Sequence, residues 1–332
     1  MKKSLIALAV LATTGAAFAQ SSVALYGRLD VGVANVKNEV SGDGVSRTKL
    51  DSNILNNSLW GLRGVEDLGN GLKATFNIES GLSVDTGAQA DATRLFNRKA
   101  TVGLAGAFGT VELGRNYTAY DTLRAATNNT ADTNVAVTNN VWAVGGDYAN
   151  RVDNAIRFDS ANYGGFSGSV AYAFGENKDL NGTTYTPGRD STDNLSLHVK
   201  YANGPLLVGY AHQNEKQALV GSTKYNLVAG SYDFGVAKLN AGFNKVSRAG
   251  NSDDTEYQVG VSAPFGATTV YFGYANAKNE VGAAETKRSG FDLAATYALS
   301  KRTVAYAGYQ NFEVKSTNKE TTVVGAGIRH VF

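Results

Sequence analysis

Along residues 71–82, "GLKATFNIESGL", apolar and polar side chains alternate, with Leu72, Ala74, Phe76 and Ile78 on one side and Lys73, Thr75, Asn77 and Glu79 on the other. Period two is the mark of a β-strand with one apolar face. Runs of this kind recur and predict strands near 23–36, 56–67, 72–82, 95–105, 109–117, 153–161, 166–175 and 193–202. The second half of the chain adds 206–214, 224–234, 236–247, 255–264, 267–278, 288–299, 302–313 and 321–332. Alternation alone does not say which face looks inward. A soluble sandwich buries Phe76 and Ile78, whereas a membrane barrel turns them to lipid and points Lys73 and Glu79 into water.

The connections between runs alternate too. Tight turns are "DLGNG" (67–71), "AGAFGT" (105–110), "NYGGF" (162–166), "ANGP" (202–205), "DFGV" (233–236), "PFGA" (264–267) and "LSKRT" (299–303). Between them lie longer polar segments such as "KNEVSGDGVSRTKLD", "SVDTGAQADATR" and "GENKDLNGTTYTPGRDSTD". A meander of antiparallel hairpins, trimmed at one end and elaborated at the other, accounts for this order. Sixteen strands with short turns on one side form an outer-membrane barrel pattern, and a barrel of that size leaves an aqueous channel. Phe108, Tyr163, Phe166, Tyr201, Tyr232, Phe234, Phe265, Tyr297 and Phe332 all fall near a tight turn or the C-terminus, as an aromatic belt at one membrane boundary requires.

Composition narrows the picture. The first residues, "MKKSLIALAVLATTGAAFAQ", carry Lys2 and Lys3, an apolar run and small residues around Phe18, so 1–19 reads as a secretory signal peptide and 20–332 as the barrel domain. Without Lys2 and Lys3 the 31 basic residues become 29, against 29 acidic, so net charge points to no partner and to no nucleic acid. Cysteine is absent, which excludes disulfides, thiol nucleophiles and Cys-ligated metals. The apolar run is too short to span a bilayer as a helix, and no later run approaches that length.

Several motifs then resemble one family. "VALYGRLDVGV" (23–33), "LWGLRGVEDLGNGLKATFNIESG" (59–81), "FNRKATVGLAGAFGTVELGRN" (96–116), "IRFDSANYGGFSGSVAYA" (156–173) and "GIRHVF" (327–332) are similar to general porins of the β-proteobacterial type. The resemblance implies a sixteen-stranded all-β antiparallel barrel, a homotrimer in the cell outer membrane among its lipids and lipopolysaccharide. It implies passage of ions and small hydrophilic solutes, a third long loop folded into the pore, and no cofactor. The ending at Phe332 resembles the signal read by the barrel-assembly machinery. One departure stands out: the third loop lacks the family's "PEF"-type acidic motif and offers only Asp121, Asp132 and Asp147, with Arg124 among them. Spacing singles out the same loop, because from 105 to 162 successive turns lie 57 residues apart, the widest interval in the chain.

Parity assigns pore-lining charges. Arg28 shares the lumen face with Tyr26 and Asp30; Arg63 falls opposite Trp60 and Leu62; Arg157 sits between outward Ile156 and Phe158, with Asp159 also inward. Through "FNRKA" the resemblance turns Arg98 inward, and Arg151 resembles an eyelet arginine. At about 2.5 Å of rise per residue along the barrel axis, Arg28, Arg63 and Arg98 lie roughly 12–20 Å above their short turns, near mid-membrane. Facing Glu79, Asp121 and Asp132, they predict a transverse field and a weak anion preference. Arg115 breaks the pattern by sharing a face with Val111 and Leu113, which predicts a place at a subunit interface or, alternatively, a bulge that turns it inward. Nothing reads as catalytic, since the three histidines fall on separate strands and "GFSGS" (165–169) is no nucleophile elbow. An enzymatic barrel and a purely structural or adhesive barrel are the competing classes.

Overall fold

The computed structural model describes residues 22–41, 43–128, 130, 133–142, 148–175, 193–217, 221–250 and 252–332, so the predicted signal peptide lies outside the described residues. Its strands are β1 (Ser22–Val40), β2 (Asp43–Ser52), β3 (Leu59–Gly69), β4 (Leu72–Gly81), β5 (Lys99–Gly106), β6 (Gly109–Tyr117), β7 (Arg151–Ser160), β8 (Phe166–Ala173) and β9 (Asp193–Asn203). They continue as β10 (Leu206–Gln217), β11 (Gly221–Asp233), β12 (Lys238–Arg248), β13 (Ser252–Phe265), β14 (Thr268–Val281), β15 (Ala284–Ala298), β16 (Thr303–Val314) and β17 (Lys319–Val331). Two short helices, α1 (Ala119–Ala126) and α2 (Thr138–Val141), belong to the third long loop.

Every ladder is antiparallel. β17 closes the sheet by pairing with β1, from Arg28↔Val331 to Val40↔Lys319, and the backbones of Gly27 and Phe332 exchange hydrogen bonds at 3.1 and 3.0 Å. The other edge of β1 meets two partners in succession, β3 along Ser22–Arg28 and β2 along Val31–Val40. β2 and β3 are therefore two parts of one stave, and seventeen segments build sixteen staves of a closed wall. Among the described residues no helix is long and apolar enough to cross a membrane. The crossing is made by strands.

The outward face is apolar. Phe76, Val102, Leu113, Ile156, Val199, Val228, Phe243 and Leu293 are all exposed, so the apolar side of "GLKATFNIESGL" meets lipid. Phe108, Tyr163, Phe166, Tyr232, Phe234, Phe265 and Tyr297 are exposed beside the short turns, with the Tyr201 ring tilted against Phe166 at 4.7 Å. The turn from β3 to β4 runs Gly69, Asn70, Gly71 at φ of 84°, 53° and 78°, left-handed angles that favour glycine and asparagine.

Two expectations need correction. The polar segment at 37–51 is no loop; it completes β1 and supplies most of β2. A strand needs only about 9–11 residues to cross a bilayer, so the 19-residue β1 runs on into water, where both faces are polar. There Asn35 bonds Ser46 and Thr48 across the hairpin, with ion pairs Lys37–Glu39 and Lys49–Asp51 alongside. The strand expected from 56 begins instead at 59, because residues 53–58 leave the wall and turn inward.

The other surprise is a second apolar core inside the barrel. Tyr120, Leu123, Val137, Val141 and Trp142 of the third loop pack on Ala211, Leu227, Ala229, Val246, Ala275 and Ala277 of the lumen wall. Glycines make room for them. A Cβ on Gly209 would stand 2.8 Å from Leu123 Cδ1, and one on Gly290 2.7 Å from Val137 Cγ2.

Candidate functional site: the channel constriction

The third loop leaves β6 and immediately forms α1. Thr118 caps it by accepting the Asp121 N–H on its hydroxyl at 3.2 Å, as an N-cap threonine does. The Ala119 N–H donates to Ser196 at 2.9 Å and the Ala119 carbonyl meets His198 Nδ1 at 2.8 Å, which fixes the helix start on β9. Beyond α1 the loop crosses the lumen wall. Val137 N–H donates to Asp292 at 2.8 Å, and the Thr130 hydroxyl donates to the same carboxylate. Gln258 donates to the Thr127 carbonyl and accepts from Thr138, and Gln310 spans the Val135 carbonyl and the Asn140 amide. So much buried polar bonding, laid over an apolar core, makes the loop a fixed part of the wall.

Between this loop and the opposite wall lies a polar hollow of about 270 Å³, lined by Arg28, Arg98, Arg124, Arg151, Asp121, Tyr117, Tyr148 and several asparagines. Tyr117 organises the basic side. Its hydroxyl accepts from Arg98 at 2.7 Å and from Arg151 at 2.8 Å, and its ring lies 4.3 Å beneath the Arg151 guanidinium. A hydroxyl has two acceptor lone pairs, so one tyrosine holds two permanent cations side by side. Arg98 also donates to Glu79 Oε1 at 2.7 Å, while the Tyr26 hydroxyl donates to Glu79 Oε2 at 3.1 Å. Across the hollow Arg124 stacks over Tyr148 at 4.9 Å and Trp142 at 5.7 Å, and the Tyr148 hydroxyl donates to Asp121 at 2.6 Å. Burial raises the Asp121 pKa above its ordinary value, against the opposing pull of Tyr148 and of the Arg151, Arg124 and Arg157 guanidiniums.

Of the expected pore residues, the hollow brings together Arg28, Arg98, Arg151 and Asp121, with Glu79 adjoining through Arg98. Arg63 stays apart, exposed with its guanidinium 5.2 Å over the Tyr26 ring. Arg157 is buried, forming a bidentate pair with Asp159 at 2.8 and 2.7 Å and donating to the Tyr117 and Thr118 carbonyls. It anchors the root of the loop. Asp132 and Asp147 lie outside the described residues.

Arg115 sits at a register shift where β6 and β7 pair Gly114 with Ala155 and then Asn116 with Val152. It donates to Asp153 at 2.6 Å and to the Asn97 carbonyl at 2.7 Å, and Asp153 in turn takes Arg94 at 3.0 Å. The arginine thus has a carboxylate in its own chain.

Sequence reasoning missed Tyr117, Tyr148, Arg329 and the inward turn 53–58. The only trace of that turn is "SNILNNS", where alternation fails and asparagine crowds in. Asn134 of the third loop bonds the Asn53 carbonyl at 2.6 Å and the Asn57 side chain at 3.0 Å, and Arg329 donates to Asn56 at 2.6 Å.

Comparison with known proteins gives the family and the fold. A family model described as Gram-negative porin matches residues 4–317. Outer membrane porin protein 32 of Delftia acidovorans is 36% identical over 350 residues, covering 100% of this chain and 94% of that protein. An outer membrane porin protein of Bordetella pertussis is 32% identical over 402 residues, covering 100% of both. A solved structure of an anion-selective porin from Comamonas acidovorans has a TM-score of 0.78 at 31% identity, covering 94% of this chain and 100% of that one.

Proposed function

The chain belongs to the Gram-negative porin family and so forms a non-enzymatic, water-filled channel through the outer membrane, and from that premise we propose that its constriction favours small anions. One observation carries the reading: four guanidiniums and, among the described residues, one carboxylate line the same hollow. Guanidinium stays protonated at any physiological pH, whereas Glu79 is engaged by Arg98 and Asp159 by Arg157. The anion-selective porin from Comamonas acidovorans supports the assignment by likeness. The mechanism is electrostatic. Cations meet a positive potential at the narrowest level, and anions exchange part of their hydration for side-chain donors on both flanks. Passage is passive and extends to small hydrophilic solutes.

A salt-gradient recording in planar bilayers tests the proposal. The zero-current potential should have the sign of anion preference at low salt and shrink toward 1 M, where the Debye length is about 3 Å. Cation preference at low salt would refute it. We further infer that the working unit is a homotrimer among outer-membrane lipids and lipopolysaccharide.

A further inference from the structure

We propose that the inward turn between β2 and β3 is a second jaw of the constriction, and that the buried Asp30 is the residue that positions it. Asp30 lies on β1 with none of its surface exposed. Its carboxylate accepts the Leu55 N–H at 3.3 Å, the Asn56 N–H at 3.0 Å and the Tyr306 hydroxyl at 2.8 Å. Its backbone grips the ends of the same turn, accepting the Asn53 N–H at 3.1 Å and donating to the Ser58 hydroxyl at 2.9 Å. One residue of the wall therefore holds both ends and the middle of the excursion.

The turn passes that hold to both sides of the hollow. On the wall side the Asn57 carbonyl accepts from Arg28 Nε at 3.0 Å and fixes that guanidinium. On the loop side the Leu55 carbonyl accepts the Asn134 N–H at 2.7 Å, while Leu55 packs against Val135, Ala294 and Tyr306. The gap between Arg28 and the third loop is thus set by the turn, and the turn by Asp30. A buried carboxylate satisfied by backbone donors has no neutral substitute of the same shape, because the amide of asparagine would direct its own donors at them.

The sign of the effect separates this reading from a simple charge effect. If Asp30 acted only as a negative charge in the wall, Asp30→Asn would strengthen anion preference and leave conductance unchanged. If it positions the jaw, Asp30→Asn releases Arg28 and the loop contact, so unitary conductance rises and anion preference falls. Tyr306→Phe keeps the charge and removes one donor, and Asn134→Ala keeps the backbone bond to Leu55 but removes the side-chain bonds by which the loop holds the Asn53 carbonyl and the Asn57 side chain. Both should raise conductance in the same direction.

The experiment is single-channel recording of the full protein and the three variants, each first shown to migrate as a heat-modifiable barrel. Conductance at 1 M salt, where fields are screened to about 3 Å, is read first. That arm does not rest on the anion reading, so a wild-type channel without anion preference sinks the earlier proposal and leaves this one testable. The jaw is overturned if Asp30→Asn gives wild-type conductance with stronger anion preference. It is equally overturned if Tyr306→Phe and Asn134→Ala both match wild type, and those two decide the question should Asp30→Asn fail to fold.

Discussion

Arg98 and Arg157 point to the same side of the sheet, yet one lines the passage and the other fastens the loop root. The difference lies in partners. Two carbonyls and a bidentate carboxylate bury Arg157, while Arg98 shares Tyr117 with a second guanidinium. At this scale Asp121 carries a prediction. Its pKa is raised by burial, so its charge is lost as pH falls through a value above the ordinary carboxylate range, while the guanidiniums keep theirs. Anion preference should therefore grow as the solution is acidified, and the rise should begin before solvated carboxylates respond. The zero-current potential against pH should show this step in wild type and lose it in Asp121→Asn; identical profiles would count against the assignment. Parity in the sequence was enough to place Arg28, Arg157 and Asp30 on the inner face. What each then binds depends on residues far along the chain, such as Tyr306 for Asp30, and no local pattern records that pairing.

The elements divide along the same line. Most strands were legible to within a few residues, because lipid outside and water inside impose a strict period of two. β2 and the turn 53–58 were not, since a strand standing in water on both faces has no apolar side and an inward turn has no period. The third loop was legible as a long interval but not as a packed element. Much of its apolar seat is alanines and glycines of the wall, residues that read as filler until Leu123 or Val137 is laid against them. Leu123→Ala should therefore weaken docking of the loop by about 2–5 kcal/mol while leaving the strands closed. Limited proteolysis of the folded barrel checks this, with cleavage expected within 118–150 in the variant only. Protection equal to wild type would show that the polar anchors suffice alone.

For the whole molecule, β1 pairing with both β17 and the β2–β3 stave closes the membrane-spanning wall on itself, so copies of the barrel packed wall to wall would meet through side chains. Arg115, Asp153 and Arg94 form one candidate contact, because a network already paired in one chain enters an interface at less desolvation cost than a lone charge. Arg115→Ala should weaken the trimer band on an unheated gel with the barrel intact; an unchanged band with altered conductance would move this residue's role to the pore. The core beneath the third loop also has a consequence in time. Val137 and Asp292 are 155 residues apart in the chain, and Leu123 finds its place only once β9 to β11 stand side by side. Contacts of such separation wait on the closure entropy of the intervening chain, and the pairing that closes the wall, Arg28↔Val331, spans a longer interval still. A further anchor of the loop, Gln310, stands on β16. The filter is therefore finished only when nearly the whole chain has been laid into the wall, and a chain cut short before β16 would lack its seat.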